Sequence, residues 1–408
     1  METETAIVME ASTGTILYEK NIHMERYPAS ITKIMTALLA VENSSLEEEV
    51  VFSKDAVFKT EGSGIARDVG EVMTMEECLY GMMLQSANEC AYAIAEHVGG
   101  DYDGFIQMMN QKAEELGCRN THFNNPNGLP DEKHYTTVYD MALISRAALK
   151  NKTFCKIAGT KTYTIPPTNK HKEETYLTND HKMLNEHKGP EYLYQGCIGG
   201  KTGYTSAARN TLVTFARRNE MTLICVVLNE KATKQYLDTA ALLDDCFENF
   251  QIWNVAEHEK EEALDEFQNQ FSSKDKEDHA LILDSDGWIL LPKGVDFTEA
   301  SREILEGTEE GNPAGVFAYT YAGRKVGEAD ILIDRGVEAQ NHAGKISVIP
   351  AKEEQMQKGR KAGIRKIFQI ILGLAVLLGI GAGMFYFRNG SSYFRWMKAR
   401  RDRPRRIK

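Results

Sequence analysis

Residues 27–40 read YPASITKIMTALLA and place a serine and a lysine three positions apart, at Ser30 and Lys33. Apolar side chains recur at the spacing of one helix face, at Ile34, Leu38 and Val41. This pattern predicts a helix from about Ser30 to Val41. Residues three apart on a helix are neighbours, so Lys33 is expected beside the Ser30 hydroxyl. A serine next to an amine base is the arrangement that makes a hydroxyl nucleophilic.

Two further motifs follow in the chain, Ser86-Ala87-Asn88 and Lys201-Thr202-Gly203. The order SxxK, SxN, KTG is that of serine enzymes that process β-lactams or D-alanyl peptides. Each motif alone is weak evidence for an active site. Ser273 and Lys276 also fit the SxxK pattern, although they lie in a run of charged residues without an apolar helix pattern. Ser86-Ala87-Asn88 alone also fits a simple helix cap. Order, spacing and context together favour the catalytic interpretation.

The three motifs predict separate tasks in acyl transfer. Lys33 accepts the proton of Ser30, which requires burial and a nearby cation, Lys201, to lower its pKa. Ser86 relays a proton to the leaving amine, and Asn88 binds the substrate amide or holds Lys33. The backbone N–H of Ser30 and one from the KTG strand form an oxyanion hole.

The KTG strand is also predicted to bind the end of a peptide. Lys201, with Thr202 and Thr205, suits a terminal carboxylate. Gly203 lets the backbone approach the substrate closely.

Strands, a block of helices, more strands and a closing helix follow one another over residues 1–252. This order predicts an α+β fold in which an antiparallel sheet packs against helices. Short alternating stretches over residues 255–348 predict a small all-β domain, followed by a polar linker, 349–366. The long helices and strands of the first domain are predicted at Met75–Leu84, Asn88–His97, Tyr102–Leu116, Thr137–Leu149, Asn210–Ala216, Met221–Leu228 and Gln235–Phe250.

The charge of the chain is divided between an acidic body and a basic tail. The chain carries −11 and residues 357–408 carry +13, which leaves −24 on the first 356 residues. Within the tail, 367–387 is a 21-residue apolar run, long enough to cross a membrane as a helix. Nine Lys or Arg follow the run and five precede it, so residues 388–408 are predicted to be cytoplasmic and the body outside.

An outside body requires export, but the chain opens without an apolar targeting stretch. We therefore expect a signal segment that this sequence does not include. Seven scattered cysteines without a CxxC pair indicate buried thiols, and no pattern predicts a metal, a cofactor or a nucleic-acid partner. The histidines, among them His134 and His181, are expected at the surface or in loops rather than as ligands.

Beyond the motifs themselves, the chain resembles the low-molecular-weight penicillin-binding proteins, the serine-type D-alanyl-D-alanine carboxypeptidases of the peptidase S11 family. The resemblance spans residues 6–250. Its most specific segments are 27–40, Leu84–Glu89, Phe123–Leu129 and Gly199–Thr205. It implies a β-lactamase/transpeptidase-like fold and removal of the terminal D-alanine from peptidoglycan stem pentapeptides. The reaction would pass through an acyl ester on Ser30, and β-lactams would acylate the same serine.

The sequence departs from that family at two positions. Ala207-Ala208-Arg209 stands where the family usually has Ala-Gly, and Lys234-Gln235 where many members have an arginine. Two alternatives remain open at this point, a class A-like β-lactamase and a silent, membrane-tethered wall-binding or β-lactam-sensing protein. The β-lactamase is disfavoured because no glutamate between the second and third motifs has an asparagine four residues later.

Overall fold

A computed structural model describes residues 3–260, 262–271, 280–307 and 313–334 of the chain. Within those ranges no helix is both long and apolar enough to cross a membrane. The predicted linker, the apolar run 367–387 and the basic tail lie outside the described residues, as does the charged Ser273–Lys276 stretch. The end of the predicted β domain, after residue 334, lies outside them too.

Most of the elements predicted from periodicity are present in the structure. The strands, in chain order, are β1 (Thr5–Glu10), β2 (Ile16–Lys20), β3 (Glu49–Val51), β4 (Val72–Thr74), β5 (Thr162–Ile165), β6 (Thr175–Thr178), β7 (Cys197–Thr205), β8 (Arg209–Arg218), β9 (Met221–Glu230), β10 (Phe250–Asn254), β11 (Ala280–Leu283), β12 (Trp288–Pro292), β13 (Ser301–Glu306), β14 (Gly315–Tyr321) and β15 (Arg324–Asp334). The α-helices are α1 (Lys33–Asn43), α2 (Lys54–Phe58), α3 (Met75–Leu84), α4 (Asn88–Gly99), α5 (Tyr102–Glu115), α6 (Val138–Leu149), α7 (Lys152–Ala158), α8 (Lys234–Asn249), α9 (Val255–His258) and α10 (Glu262–Phe271).

The first sheet has five strands in the order β2-β1-β9-β8-β7, and every neighbouring pair is antiparallel. Alternate side chains of a strand point to opposite faces. In β1, Ile7 and Met9 join the core on the helical side, whereas Ala6 and Val8 join the core under α8. The sheet is therefore covered on both faces, and the predicted α+β arrangement is confirmed. β7, which carries the KTG motif, lies at the edge.

The large core between the sheet and helices α1 and α3–α7 positions the catalytic segment. The α1 residues Ile34, Met35 and Leu38 are almost completely buried in it. The predicted helix start at Ser30 was slightly wrong, because residues 29–32 form a 3-10 turn and the α-helix begins at Lys33. Ser30 therefore lies in a tighter turn that leads into a buried helix.

The second sheet begins with β10 and has six strands, in the order β10-β12-β15-β14-β13 with β11 paired to β15. The prediction of an all-β region missed helix α10. Its buried residues Ala263 and Phe267 are four apart and share a core with the sheet. The residues between them are mostly polar, so the apolar pattern was too weak to predict a helix. The domain limits at 252 and 255 stay predictions.

Candidate active site

Ser30 lies in the 3-10 turn at the entrance to α1, where its neighbours approach closely. Ala29 is buried and has a φ of +51°, a conformation that costs energy in a residue with a side chain. A Cβ on Gly203 would lie 2.8 Å from the Ser30 nitrogen. A Cβ on Gly128 would lie 1.9 Å from the Ala29 oxygen. Only glycine at these two positions lets the backbone close around Ser30.

Lys33 is completely buried, and its amine has three polar partners. Nζ lies 2.7 Å from Asn88 Oδ1, 2.7 Å from the Asn127 carbonyl oxygen and 3.1 Å from Ser30 Oγ. The first two atoms only accept hydrogen bonds. A neutral amine that donates to both therefore has its lone pair available to the Ser30 hydroxyl. This geometry suits a proton acceptor.

The surroundings of Lys33 favour its neutral form. Burial, and then the positive charge of Lys201, lower the pKa of Lys33 well below its ordinary value. The charge of Glu89 acts in the opposite direction. Burial also lowers the pKa of Lys201 to about 8, against the attraction of Asp180. The expected second cation near Lys33 is thus present.

The structure brings together most of the residues predicted from the motifs. Asn88 contacts Lys33 directly, and Thr205 lines the same cleft as Ser30. Lys201 Nζ donates to the Thr202 carbonyl oxygen at 3.0 Å. Thr205 Oγ1 accepts from the Ala208 nitrogen, so its hydroxyl is held in place at the end of β7.

Ser86 has a φ of +60° and is almost fully buried. Its Oγ has no hydrogen-bond partner within the described part of the chain. A buried hydroxyl without a partner is unusual and is found at functional sites. The simple cap interpretation of this motif is not supported, because α4 has no side-chain cap from Ala87, the residue before it.

A cleft of about 690 Å³ opens at Ser30. Its walls come from three loops and from the end of β7. The lining residues are Ser30, Glu61, Gly62, Ser63, Asn88, Asn127, Gly128, Leu129, Pro130, Tyr204, Thr205, Ser206 and Ala207. Because β7 is an edge strand, its unpaired backbone groups are available to an extended peptide.

Three residues next to the site were not predicted from the sequence. The loop around Asn127 was predicted, but not the contact of its carbonyl oxygen with Lys33. Glu89 was not singled out, and His134 was expected at the surface or in a loop. His134 does lie in a loop, but it is buried, its Nε2 lies 2.9 Å from Thr32 Oγ1, and burial lowers its pKa to about 3. His181 is likewise buried in a loop, and burial lowers its pKa to about 4. Both histidines therefore lie in loops, as the prediction allowed, but neither is at the surface.

The two departures from the family pattern lie near the end of β7. Arg209 is exposed and pairs in register with Thr205 across the β7–β8 turn. Gln235 is buried at the start of α8, where its Nε2 donates to Asn210 Oδ1 at 3.4 Å. The seven cysteines are all free thiols.

A sheet covered by helices on both faces, with a serine hydroxyl beside a buried lysine amine, is the arrangement of serine enzymes that catalyse acyl transfer. A family model described as D-alanyl-D-alanine carboxypeptidase, peptidase S11, matches residues 1–232. The D-alanyl-D-alanine carboxypeptidase DacF of Bacillus subtilis is 33% identical over 312 residues, which are 74% of this chain and 76% of that protein. The chain therefore belongs to the D-alanyl-D-alanine carboxypeptidase (peptidase S11) family.

Solved structures of D-alanyl-D-alanine-processing enzymes are also similar to this chain. A D-alanyl-D-alanine carboxypeptidase from Mycobacterium tuberculosis H37Rv is 31% identical, with a TM-score of 0.54 over 60% of this chain and 89% of that one. The DD-transpeptidase of Streptomyces K15 is also 31% identical, with a TM-score of 0.55 over 60% of this chain and 96% of that one. Both likenesses support the transpeptidase-like α+β fold.

Proposed function

We propose that this enzyme removes the terminal D-alanine from peptidoglycan stem pentapeptides through an acyl ester on Ser30. It is a serine-type D-alanyl-D-alanine carboxypeptidase of cell-wall metabolism. The observation that carries the mechanism is the position of Lys33 Nζ, 3.1 Å from Ser30 Oγ and bonded to two acceptors. No cofactor takes part in the proposed reaction.

Acylation begins when the Ser30 hydroxyl transfers its proton to the neutral Lys33 amine. Ser30 Oγ then attacks the carbonyl carbon of the penultimate D-alanine. The negative charge that develops on the carbonyl oxygen is stabilised by the Ser30 N–H and an N–H of β7. The C–N bond breaks as the proton held by Lys33 passes through Ser86 to the leaving amine. D-alanine departs, and Lys33 is neutral again.

Deacylation uses the same groups in reverse. A water molecule gives a proton to Lys33 and attacks the ester carbonyl carbon, and the proton returns to Ser30 Oγ as the C–O bond breaks. A β-lactam acylates Ser30 in the same way, by opening its ring, and is therefore an inhibitor. Asn88 holds Lys33 in place throughout.

The substrate carboxylate is held by Lys201 with Thr202, Thr205 and the backbone at Gly203. We expect Lys201→Ala to raise KM on the order of 10–100-fold, because a hydrogen bond to a charged group is lost. The variant also removes the cation that lowers the pKa of Lys33. The acid limb of the kcat/KM profile therefore moves to higher pH. Steady-state kinetics across pH measures both effects, with Lys150→Ala, an exposed lysine at the end of α6, as control.

The direct test of the reaction is release of D-alanine from diacetyl-L-lysyl-D-alanyl-D-alanine, measured together with penicillin hydrolysis. The proposal requires D-alanine release and slow penicillin turnover. Fast penicillin turnover without D-alanine release would indicate a β-lactamase instead. Neither activity in a folded protein would indicate a silent binding or sensing protein.

For location, we propose a single-pass membrane protein with the enzyme outside and the C-terminus in the cytoplasm. The support is the 21-residue apolar run 367–387 and its basic flanks. We expect the full chain, expressed behind a signal segment, to remain with membranes after a carbonate wash. A version that ends at residue 351 should be released by that wash. Retention of the shortened protein on membranes would contradict the anchor.

A further inference from the structure

One wall of the cleft, residues 61–65, is bonded directly to Asn88. The Asn88 side-chain amide donates to the Glu61 carbonyl oxygen at 2.5 Å, and the Asn88 backbone N–H donates to the Ser63 carbonyl oxygen at 2.9 Å. Asn88 also contacts the Lys33 amine. A displacement of this cleft wall would therefore displace a group that holds the proton acceptor.

The cleft wall rests on a buried carboxylate, that of Glu89. Glu89 is only 6% exposed, and its Oε1 accepts the backbone N–H of Ile65 at 2.6 Å. A Cβ on Gly64 would lie 2.7 and 2.9 Å from the two carboxylate oxygens, so the backbone lies directly against them. The Ile65 carbonyl oxygen in turn accepts from Arg67 at 2.8 and 3.1 Å.

Arg67 also holds the cleft wall in place, through its hydrogen bonds to the Ile65 carbonyl oxygen. Arg67 is almost fully buried and forms an ion pair of 3.0 Å with Glu71, which is also buried. Ile65 is thus bonded at its N–H to a carboxylate and at its C=O to a guanidinium. Bonds to charged groups are stronger than those between neutral groups, so this segment is firmly held.

We propose that Glu89 is a positioning residue, whose carboxylate fixes the cleft wall against Asn88 and offsets the positive charge of Lys201 at the Lys33 amine. This inference rests on the proposed function, in which Lys33 accepts the proton of Ser30. Glu89 itself touches neither the substrate nor the reacting atoms. It acts through Asn88 and through the charge at Lys33.

Four ionisable groups influence Lys33 or lie near it. Lys201 lowers the pKa of Lys33, and Glu89 and Cys90 raise it. Burial raises the pKa of Cys90 well above its ordinary value, and His134 has a pKa of about 3. Both are therefore neutral near pH 7. Glu89 is the carboxylate among them. Removing its charge should lower the pKa of Lys33 further.

Two substitutions separate the two roles of the carboxylate. In Glu89→Gln the amide oxygen still accepts from Ile65, and only the charge is lost. We expect the acid limb of its kcat/KM profile to move to lower pH, with a plateau within a few-fold of the wild type. Glu89→Ala also loses the bond to the wall. We expect the same shift and a plateau lower on the order of 10–100-fold, since small misplacements at a site are costly.

Glu114→Gln, an exposed change on α5, is the matched control and should leave the profile unmoved. Thermal melting shows whether each variant folds. If Glu89→Ala does not fold, Glu89→Gln still tests the effect of the Glu89 charge on Lys33. An active wild type whose acid limb is not moved by Glu89→Gln would overturn this electrostatic role of Glu89 and leave the proposed function standing. A wild type that neither releases D-alanine nor reacts with penicillin would overturn the proposed function itself.

Discussion

Ser30→Ala is expected to abolish the release of D-alanine and covalent labelling by a fluorescent penicillin. The side chain supplies the oxygen that forms the acyl ester, and it is this oxygen that lies 3.1 Å from the Lys33 amine. Removal of a nucleophilic serine lowers kcat on the order of 10⁴–10⁶-fold in comparable serine enzymes. Gel fluorescence and D-alanine release measure the two effects on the same preparation.

The matched control is Ser273→Ala, which removes the serine of the other SxxK pattern in the sequence. That variant should label and turn over like the wild type. Persistent labelling of Ser30→Ala, or loss of labelling in Ser273→Ala, would show that the nucleophile has been assigned to the wrong serine. Because Ser30 is a small side chain in a turn, its truncation should leave the melting temperature nearly unchanged.

Lys33→Arg is expected to lower kcat/KM on the order of 10²–10⁴-fold, the usual contribution of a general base. Arginine stays positively charged at this position, because it does not give up its proton in proteins. It therefore has no lone pair for the Ser30 hydroxyl. The rate of acylation by penicillin, followed in a single turnover, measures the step in which this proton moves.

A second variant, Lys33→Met, separates loss of the base from a defect in folding. Methionine fills much of the buried volume but leaves the Asn88 and Asn127 oxygens without their donor. This should cost about 1–3 kcal/mol of stability for each buried group left unpaired. Both variants should acylate slowly, because neither side chain can accept the proton of the Ser30 hydroxyl. If either variant acylated at the wild-type rate, Lys33 would not be the proton acceptor.

The acid limb of the wild-type profile follows from the same group. The pKa of Lys33 is depressed in the folded enzyme, so its neutral and active form persists at pH values where an ordinary lysine would be protonated. Activity should fall as the pH drops through that depressed pKa, because the amine then holds a proton. An ordinary, unshifted lysine would instead give activity only in strongly alkaline solution.

Much of the site could be predicted because its residues lie in short motifs with fixed roles. The spacing of Ser30 and Lys33 implies their contact on any helical turn, and KTG on a strand implies a carboxylate clamp. The contacts with Asn127 and Glu89 could not be predicted in this way. The Asn127 carbonyl belongs to a loop 94 residues from Lys33 in sequence. Every residue has a backbone oxygen, so the identity of the residue does not indicate this contact.

The errors in the fold have similar causes. Burial of His134 and His181 depends on how loops pack, which periodicity does not report. Helix α10 has two buried apolar residues four apart among polar ones, too weak a pattern to compete with the strands around it. Conversely, long amphipathic segments such as α6 and buried strands such as β9 were predicted well, because their periodicity is set by the core itself.

The mass of the enzyme after reaction with penicillin shows directly whether Ser30 is the nucleophile. Trypsin cuts after Arg26 and Lys33, so Ser30 lies in the short peptide Tyr27–Lys33. We expect one penicilloyl group per chain, found on this peptide and absent from Ser30→Ala. An unmodified chain, or a group found on another peptide such as the one that carries Ser273, would contradict it.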